Sequence, residues 1–371
     1  MNLRLNEEQR ILKGSARSFL ARECPKQLMR DRRGSSDDYN RALWSKLSLL
    51  GWTGLFIGED YGGVGGSFED LSIIIEQLGA ACAPVPFFGT AVLGASALTN
   101  SNNSEMKANL LPRIATGDCT VSYAFAEPGV AYQQDGISLE FTPNNDFLVI
   151  NGVKLFVEYG LSVNYYLVVG RIDGDLTIAM VDAQSPGIHK LSCATLDYAG
   201  QCEIVFENVS LSNSAILASG KAAEALLNEL ENIAAVGKCA EIVGCVQNIL
   251  DMTVSYVSKR EQFGQLIGAF QSVQHHCANM AVEVDSIRSL TQQAICKVSQ
   301  GINATKEISM AKAYASSTAV RLAKLGHQAH GAISFCDDLD MHLCLRRVHA
   351  ASVAHGDAEY HYEKVAKNVG I

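Results

Sequence analysis

Apolar residues recur at helical spacing through the first third of the chain. Near the N-terminus, Asn6 and Gln9 have the spacing of a capping box, which predicts the start of a helix. A later stripe with the period of an amphipathic helix consists of Leu71, Ile74, Ile75 and Leu78. Residues 1–117 are therefore predicted to form an N-terminal helical domain.

Between Cys119 and Leu217 the apolar positions change to a period of two, which is typical of half-buried strands. The alternation is clear in Ile137, Leu139 and Phe141. The turn-forming pairs in this region are Asn144-Asn145, Asn151-Gly152 and Asp173-Gly174. The pattern predicts a middle antiparallel β-domain over residues 118–217.

Four long helical segments follow Gly220, where turn signals become rare. Their predicted bounds are 221–258, 267–300, 304–325 and 339–368. Residues 218–371 are accordingly predicted to form a C-terminal four-helix bundle. Because the strands are segregated instead of alternating with helices, the predicted fold class is α+β.

Charge and composition narrow the classes of function. The 371 residues carry a formal net charge of -9, and nucleic-acid binders depend on clustered Lys and Arg, so no nucleic-acid partner is expected. No run of about eighteen uninterrupted apolar residues occurs, so no membrane span is expected. The eleven cysteines lack a C-x-x-C pair, and the N-terminus lacks an apolar signal region. Both features favour a cytoplasmic protein with reduced thiols.

Generic motifs for dinucleotide binding, metal binding and nucleophilic catalysis have little support in the sequence. The glycine-rich run 61–66 is not preceded by a strand, so a plain loop is favoured over a dinucleotide cradle. His275 and His276 are adjacent and diverge on a helix. His327 and His330 have no carboxylate or thiol at ligand spacing, so core or interface histidines are favoured over a metal site. No G-x-S-x-G elbow for a nucleophilic serine is present.

Five short blocks, in order along nearly the whole chain, together resemble one known family. The blocks are Glu59-Asp60-Tyr61-Gly62-Gly63, Ala126-Glu127-Pro128, Asn151-Gly152-Val153-Lys154, Lys259 to Gln271, and Gln328-Ala329-His330-Gly331. They are similar to the E-x-Y-G-G, T-E-P, N-G-x-K, R-x-x-F-G-x-x-I-x-x-F-Q and Q-x-H-G-G motifs of the flavin-dependent acyl-CoA dehydrogenases. The fourth block is the most specific.

The resemblance implies an N-terminal helical domain, a middle β-domain and a C-terminal four-helix bundle, with FAD bound at a subunit interface. In such enzymes a carboxylate takes the α-proton of an acyl-CoA thioester while the β-carbon passes a hydride to the flavin. The implied substrate is an acyl-CoA and the implied cofactor is FAD. Electron-transfer flavoprotein is a candidate electron acceptor.

Neither of the two family positions for the catalytic glutamate holds a glutamate in this chain. Aligned through Arg346, the usual late position falls on His355. Aligned backwards from Arg260, the alternative position falls on Ala234. A neutral imidazole at His355 is a workable base, and Glu241 lies about two turns from Ala234. The base is left unassigned, with His355 and Glu241 as candidates.

Positions that face the chain's own flavin in this family are altered. Ala126 replaces a threonine that bonds the isoalloxazine edge, and Glu158 replaces a threonine or serine. A carboxylate beside an anionic reduced flavin is unfavourable by Coulomb repulsion. The resemblance therefore predicts a degraded flavin pocket in this chain.

Positions that reach a neighbouring subunit's FAD in this family are kept. The cofactor-binding residues that the resemblance implies are Arg260, Gln262, Phe263, Gln328, Gly331 and Ala332. The planar fork of Arg260 suits phosphate oxygens, and Gly331 permits close backbone approach. Ala332 stands in place of a second glycine.

This asymmetry leads to the hypothesis of a non-catalytic subunit in an α2β2 acyl-CoA dehydrogenase, whose homologous sister subunit carries the base. The segments Asp340 to Arg347 and Gly356 to His361 resemble bacterial dehydrogenases of steroid side-chain β-oxidation, so a steroid-CoA substrate is expected. Two alternatives remain open. One is a homotetrameric dehydrogenase with an unusual base, and the other is a redox-inactive binding or regulatory paralogue.

Overall fold

The computed structural model of the protein describes residues 4–33, 38–130 and 132–371. Within these residues, helices precede Thr116, strands lie between Val121 and Ser219, and long helices begin again at Lys221. The predicted α+β class is confirmed. The N-terminal helices are α1 (Glu7–Glu23), α2 (Gln27–Arg30), α3 (Arg41–Leu49), α4 (Phe68–Ala81), α5 (Ala95–Asn100) and α6 (Ser104–Ala115).

Local signals in the sequence explain the first helices. The Asn6 side chain accepts a hydrogen bond from the Gln9 amide at 2.8 Å, and the Gln9 side chain accepts one from the Asn6 amide at 3.2 Å. The predicted capping box at the start of α1 is confirmed. The predicted apolar stripe of α4 is buried at Leu71, Ile74, Ile75 and Leu78.

Eight strands of the described residues form one sheet. They are β1 (Val121–Ala124), β2 (Glu140–Asn144), β3 (Phe147–Glu158), β4 (Tyr165–Ile172), β5 (Asp175–Asp182), β6 (Ile188–Cys193), β7 (Gln201–Ser212) and β8 (Ile216–Ser219). The strand order is β6-β7-β3-β2-β4-β5-β8, and β1 pairs with β4. Most pairs are antiparallel as predicted, but β1 runs parallel to β4 because the long connection through β2 and β3 supplies the crossover.

Two of the three predicted turns are turns in the structure. Asn145 and Asp173 have positive φ angles of 53° and 50° where β2 meets β3 and β4 meets β5. Asn151 and Gly152 lie inside β3 instead, so the prediction of a turn there was wrong. The pairing of β3 with β7 shifts register at this point, and a side chain on Gly152 would approach Leu139 to 3.3 Å. The Asn-Gly pair therefore marks a bulge.

Five long helices occupy the C-terminal part of the described chain. They are α7 (Lys221–Val257), α8 (Gln271–Ser299), α9 (Thr305–His330), α10 (Met341–Val353) and α11 (Ala358–Asn368). The predicted fourth helix is thus two helices. His355 and Gly356 have φ angles of 54° and 99°, which end α10. Asp357 then caps α11 by accepting a hydrogen bond from the Tyr360 amide at 2.9 Å.

The chain divides into two compact units that cut across the three predicted domains. The first unit comprises residues 1–30, 68–83 and 235–371, and the second comprises residues 31–67 and 84–234. The predicted boundaries follow the change of secondary structure, whereas the units follow tertiary packing. As a result, α1 and α4 belong to the same unit as most of the C-terminal helices.

α4 and α7 approach each other closely within the first unit. A side-chain carbon on Gly244 would lie 1.8 Å from the Glu76 carbonyl oxygen, and one on Gly79 would lie 2.4 Å from the Glu241 carbonyl oxygen. Only glycine leaves room for such backbone contact. The two glycines therefore fix how α7 passes α4.

Among the residues that the structure describes, α7 is the one helix with the length and apolar composition to span a membrane. Of the 18-residue stretch with that composition, 83% is buried inside the protein. A helix that is apolar on all sides and buried is typical of a protein core. The helix itself was predicted at 221–258, but the argument from uninterrupted apolar runs did not single it out, and the expectation of no membrane span stays a prediction.

Candidate functional site

His355 lies in the short connection between α10 and α11. Its positive φ of 54° costs an L-residue about 1 kcal/mol, and its carbonyl oxygen lies 3.0 Å from Nε2 of His361. The buried ammonium of Lys312 donates hydrogen bonds to the carbonyl oxygens of Gly356 at 2.7 Å and Ser352 at 3.0 Å. These contacts hold the connection in one conformation.

The surroundings of His355 keep its imidazole neutral. Burial, assisted by the cations Lys238 and Lys312, lowers the pKa of His355 to about 3. Glu241 raises this pKa and His361 lowers it, both to a smaller extent. A base this weak is a poor acceptor for the α-proton of a thioester. This environment disfavours His355 as the group that abstracts the proton.

We expect His355 to make the stability of the protein depend on pH. Its folded pKa lies below the ordinary histidine value, so from about pH 6.5 down to about pH 3 only the unfolded state takes up this proton and stability falls. The wild type should therefore lose about 2 kcal/mol more than His355→Asn between pH 7 and pH 5, measured by urea unfolding. Asparagine is chosen because it tolerates a positive φ.

The control for this measurement is His275→Asn, because His275 is an exposed histidine on α8. Its unfolding should have the same pH dependence as that of the wild type. Equal losses in wild type and His355→Asn would show that the imidazole is not kept neutral by the fold.

Glu241 lies on α7 between the buried Lys238 and the half-buried Arg347. Lys238 donates a hydrogen bond to its Oε2 at 3.0 Å, and Arg347 donates a hydrogen bond to its Oε1. Burial alone would raise the pKa of Glu241, but Arg347 and Lys238 hold it at about 2. The carboxylate is 3% exposed. This is the environment of a structural ion pair, which disfavours Glu241 as a general base.

Ala234, the second family position for the glutamate, also lies on α7. It is 1% exposed and provides only a methyl group. Neither position contains a carboxylate, and the nearby carboxylate of Glu241 is held in its ion pairs.

The block that begins at Arg260 forms a short hairpin after α7. β9 (Glu261–Gln262) pairs with β10 (Gln265–Leu266), and Phe263 and Gly264 form the turn with φ angles of 55° and 81°. Phe263 is 91% exposed, and its ring contacts Phe270 edge-on at 6.2 Å between centroids. A large exposed aromatic on a fixed turn is typical of an interaction surface.

The polar residues of this hairpin also face solvent. Arg260 and Gln262 are exposed. The Arg260 guanidinium forms no hydrogen bond or ion pair with any residue that the structure describes, while its carbonyl oxygen accepts a hydrogen bond from the Ile267 amide at 2.8 Å. The backbone at Arg260 is therefore fixed while the planar fork remains available for an anion.

The second retained block lies at the end of α9. Gln328, Gly331 and Ala332 are all exposed. Gly331 ends the helix with a φ of 68°, and no atom lies within 4 Å of the position that a side-chain carbon would take. A bound molecule can therefore approach the backbone at Gly331 closely.

An aromatic contact joins the two retained blocks. The ring of Tyr256, near the end of α7, stacks on the ring of His330 at 4.4 Å between centroids. Tyr256 also accepts the Arg260 amide hydrogen bond through its carbonyl oxygen at 2.9 Å. Arg260 and Gly331 therefore lie at the same end of the first unit.

In the second unit, a buried ion pair joins two blocks of the resemblance. Lys154 donates to Glu127 Oε1 at 2.6 Å and to the Phe125 carbonyl oxygen at 2.9 Å. Glu127 Oε2 also accepts the Ser138 amide at 2.8 Å, and Oε1 accepts the Leu139 amide at 3.1 Å. Burial lowers the pKa of Lys154 to about 8 against the attraction of Glu127. These residues thus hold strands together.

Sequence reasoning quoted Glu127 and Lys154 only as motif letters and missed Lys312 completely. Lys312 lies on the buried side of α9, next to Ile308 and Ala315 at helical spacing. Helical periodicity could have identified Lys312, because it places this lysine on an otherwise apolar helix face. Its three hydrogen bonds show why it is retained there.

The altered flavin-facing residues lie near the end of β3, beside a second register shift between Lys154 and Val157. Ala126 contributes a carbonyl oxygen that accepts the Leu155 amide at 2.8 Å, and its side chain is only a methyl group. Glu158 is half-buried at the end of β3, where its carbonyl oxygen accepts the Ser122 hydroxyl at 2.5 Å. The backbone carbonyl oxygens at both positions accept hydrogen bonds, but the side-chain hydroxyl groups that the resemblance implies are missing.

Two family models match the chain. The acyl-CoA dehydrogenase N-terminal domain matches residues 6–118, and the acyl-CoA dehydrogenase C-terminal domain matches residues 227–370. The chain belongs to the acyl-CoA dehydrogenase family. It is therefore an oxidoreductase of a FAD-dependent family, as the sequence blocks predicted.

Curated relatives of this acyl-CoA dehydrogenase match over nearly their whole length. A probable acyl-CoA dehydrogenase of Bacillus subtilis, YngJ, is 28% identical over 100% of both chains. The caffeyl-CoA reductase-Etf complex subunit CarC of Acetobacterium woodii is 24% identical over 95% of this chain and 96% of its own.

Solved structures share the fold of this acyl-CoA dehydrogenase. The ChsE4-ChsE5 complex of Mycobacterium tuberculosis superposes with a TM-score of 0.91 at 21% identity, covering 100% of this chain and 99% of that chain. A variant of the Tcur3481-Tcur3483 steroid acyl-CoA dehydrogenase gives 0.88 at 26% identity, covering 98% of each chain. The FAD complex of PigA gives 0.91 at 21% identity, covering 100% and 99%.

The residues of this acyl-CoA dehydrogenase fit the phosphate and adenine parts of FAD better than the flavin ring. Arg260 has an available guanidinium, and Gly331 leaves its backbone open. At the other positions, Ala126 offers no hydroxyl and Glu158 places a carboxylate. The surface of the first unit is therefore suited to hold an anionic dinucleotide.

Proposed function

We propose that this chain is the non-catalytic subunit of a heteromeric acyl-CoA dehydrogenase. It completes the FAD site of a homologous sister subunit, and the sister carries the base that takes the α-proton of the acyl-CoA. The observation that carries the proposal is the contrast between the two sets of positions. The base positions contain His355 and Ala234, whereas Arg260, Gln328 and Gly331 remain exposed and unobstructed.

The electrostatics at the base position support this division of labour. His355 is neutral and weakly basic, and Glu241 is held by Lys238 and Arg347. Moving Glu241 to a substrate would break its ion pairs with Lys238 and Arg347, which costs several kcal/mol. A proton acceptor supplied by another chain avoids that cost.

The role of this chain in the complex is binding and orientation. FAD supplies the hydride-accepting chemistry when it is bound. Arg260 provides a bidentate fork for a phosphate group of the sister's FAD, Gly331 lets the backbone approach it, and Phe263 covers apolar surface at the interface. Each of these functions is independent of a base in this chain.

The substrate and partners are the finer part of the proposal. We assign an acyl-CoA thioester with a bulky steroid side chain and an α2β2 assembly, supported by the likeness to the Tcur3481-Tcur3483 steroid enzyme. Electron-transfer flavoprotein is the proposed electron acceptor, in line with the Etf complex of the relative CarC. A cytoplasmic location is part of the proposal, supported by eleven cysteines that are all free thiols.

The test is expression of the chain alone and together with the product of an adjacent homologous gene. We expect the chain alone to bind no FAD and to lack turnover, and the co-expressed complex to contain FAD and to oxidise acyl-CoA. FAD content is measured by absorbance, and the subunit ratio by native mass spectrometry. Turnover by the isolated, FAD-loaded chain would instead establish the homotetrameric alternative. An intact complex without FAD or turnover would establish the redox-inactive paralogue.

Within the co-expressed complex, Arg260→Ala should weaken FAD binding about tenfold to a hundredfold. A lost hydrogen bond to a charged group costs about 1.5 to 3 kcal/mol. Lys259→Ala is the matched control, because Lys259 is the preceding exposed cation in the same connection. The measurement is FAD retention during dilution, followed by fluorescence. Equal retention in both variants would contradict the assignment of Arg260 to the sister's FAD.

A further inference from the structure

Two cysteine thiols meet in the core of the first unit, where α4 ends beside α10. The sulfur atoms of Cys82 and Cys344 lie 3.8 Å apart, and both side chains are at most 1% exposed. Cys245, on α7, donates its thiol to the Gly79 carbonyl oxygen at 3.2 Å. These contacts link α4, α7 and α10.

The backbone fixes the direction of the Cys82 thiol. Cys82 follows α4 with a φ of 52°, and the amide of Ala83 donates to the Leu78 carbonyl oxygen at 3.0 Å. Glycine is the usual residue at such a helix end, and a side chain there costs about 1 kcal/mol. The cysteine occupies this conformation because its sulfur then points at Cys344.

A half-buried cation, Lys26, acts on the thiols. Lys26 donates a hydrogen bond to the Ala80 carbonyl oxygen at 2.6 Å, two residues before Cys82. The thiols of Cys245 and Cys344 lower the pKa of Cys82 against its burial, and Lys26 lowers it further. The pKa of Cys344 is raised. Of the two thiols, Cys82 is therefore the one that ionises more readily.

A cavity of about 760 Å³ lies in the same unit. Lys26 lines it, and three other lining residues are neighbours of the cysteines: Ala81 precedes Cys82, Gly244 precedes Cys245, and Asn248 donates to the Cys344 sulfur at 3.3 Å. The three cysteines do not line the cavity themselves, so a small solute reaches their sulfur atoms only past these neighbouring residues.

A metal site is a weaker interpretation of these thiols. Among the residues that the structure describes, no group of three or more His, Cys, Asp or Glu side chains has a metal-binding arrangement. The cation Lys26 would also repel a metal ion at this place. A pair of thiols, one ionised beside a cation, is suited to oxidation instead.

We propose that Cys82 and Cys344 form a reversible, peroxide-reactive dithiol. The Cys82 thiolate attacks a peroxide oxygen, so an S–O bond forms, the O–O bond breaks and hydroxide leaves. The Cys344 sulfur then attacks Cys82, so an S–S bond forms and the S–O bond breaks. Its proton and one from solvent convert the two released hydroxides into water. Two electrons pass from the two sulfurs to hydrogen peroxide.

The required movement is small. The sulfur atoms must approach from 3.8 Å to about 2.05 Å for a disulfide to form. The resulting disulfide would tie the end of α4 to α10, the helix that also carries Arg347. This proposal does not depend on the assignment of a sister subunit.

The test treats the full-length wild type with hydrogen peroxide, alkylates remaining thiols after denaturation, and maps the peptides by mass spectrometry. We expect two fewer alkylated thiols than the eleven of the reduced chain, and a cross-linked peptide pair containing Cys82 and Cys344. A thiol reductant should reverse both changes. Alkylated Cys82 and Cys344 after treatment, with oxidation only at the exposed Cys336, would overturn the proposal.

Variants of the full-length protein separate the role of Cys82, which attacks the peroxide, from that of Cys344, which then forms the disulfide. Cys344→Ser should leave a sulfenic acid on Cys82 that a dimedone probe labels, and Lys26→Gln should slow disulfide formation about tenfold. Cys336→Ser is the matched control and should react like the wild type. Unlabelled Cys82 in Cys344→Ser would contradict its role as the attacking thiolate. An unchanged rate in Lys26→Gln would contradict activation by the lysine.

Discussion

Glu241→Gln is expected to lower the free energy of unfolding by about 3 to 5 kcal/mol. The substitution keeps the shape of the side chain but removes the carboxylate charge that the buried Lys238 and the half-buried Arg347 share. Removing one partner of a buried ion pair typically costs this amount, because the remaining charge stays desolvated. The measurement is the urea midpoint and slope at pH 7.

The control lies on the same helix. Glu224→Gln changes an exposed carboxylate in the first turn of α7 and should alter stability by less than about 0.5 kcal/mol. If Glu241→Gln instead unfolds like Glu224→Gln and abolishes turnover of a FAD-loaded chain, Glu241 is the base. That result would remove the structural interpretation and the division of labour proposed above.

The pH dependence of this effect has a defined sign. Glu241 has a folded pKa of about 2, below its ordinary value, so its stabilisation is present above about pH 4.5 and is lost as pH falls toward 2. Glutamine resembles the protonated carboxyl group. The difference in stability between wild type and Glu241→Gln should therefore shrink as the pH is lowered through this range.

Secondary structure was predicted correctly where residues close together in the sequence determine it. The Asn6 capping box and the buried stripe of α4 needed only neighbouring residues. The Asn151-Gly152 pair was misinterpreted because Asn-Gly pairs are common in turns, whereas this pair lies at a bulge of β3 opposite β7. Likewise, the break at His355 was missed because the apolar pattern continues across it, while the positive φ there is stabilised by Lys312 from α9.

The candidate site was predictable as a set of residues but not as an electrostatic environment. The blocks around Arg260 and Gln328 were identified by their similarity to motifs that occur in the same order along the chain. In the structure both blocks lie at one end of the first unit, where Tyr256 stacks on His330. The neutral state of His355 was not predictable, because it depends on burial and on Lys238 and Lys312. Partners so far apart in sequence meet only in the folded chain.

The same helix crossing that positions Glu241 also brings Cys245 beside the end of α4. Gly79 contacts the Glu241 backbone, and its carbonyl oxygen accepts the Cys245 thiol. The ion pair and the dithiol therefore both depend on how closely α4 and α7 approach. Widening this crossing should disturb both features together.

Gly244→Ala is expected to destabilise the protein by about 2 kcal/mol. A β-carbon at this position would lie 1.8 Å from the carbonyl oxygen of Glu76 and 2.9 Å from the amide nitrogen of Ala80. Both are backbone atoms, so no side-chain rotation relieves the overlap, and the helices must separate. Overpacking of this kind costs about 1 to 3 kcal/mol or more, whereas alanine gains only about 1 kcal/mol in helix propensity. The overlap therefore decides the sign.

Gly14→Ala is the matched control for this prediction. Gly14 is an exposed glycine inside α1 with no atom within 4 Å of its missing β-carbon, so alanine there should stabilise by about 0.5 to 1 kcal/mol. Urea unfolding of both variants at pH 7 should give shifts of opposite sign. If Gly244→Ala shifted the midpoint upward like Gly14→Ala, α4 and α7 would not be in backbone contact. The positions assigned to Glu241 and Cys245 would then be wrong as well.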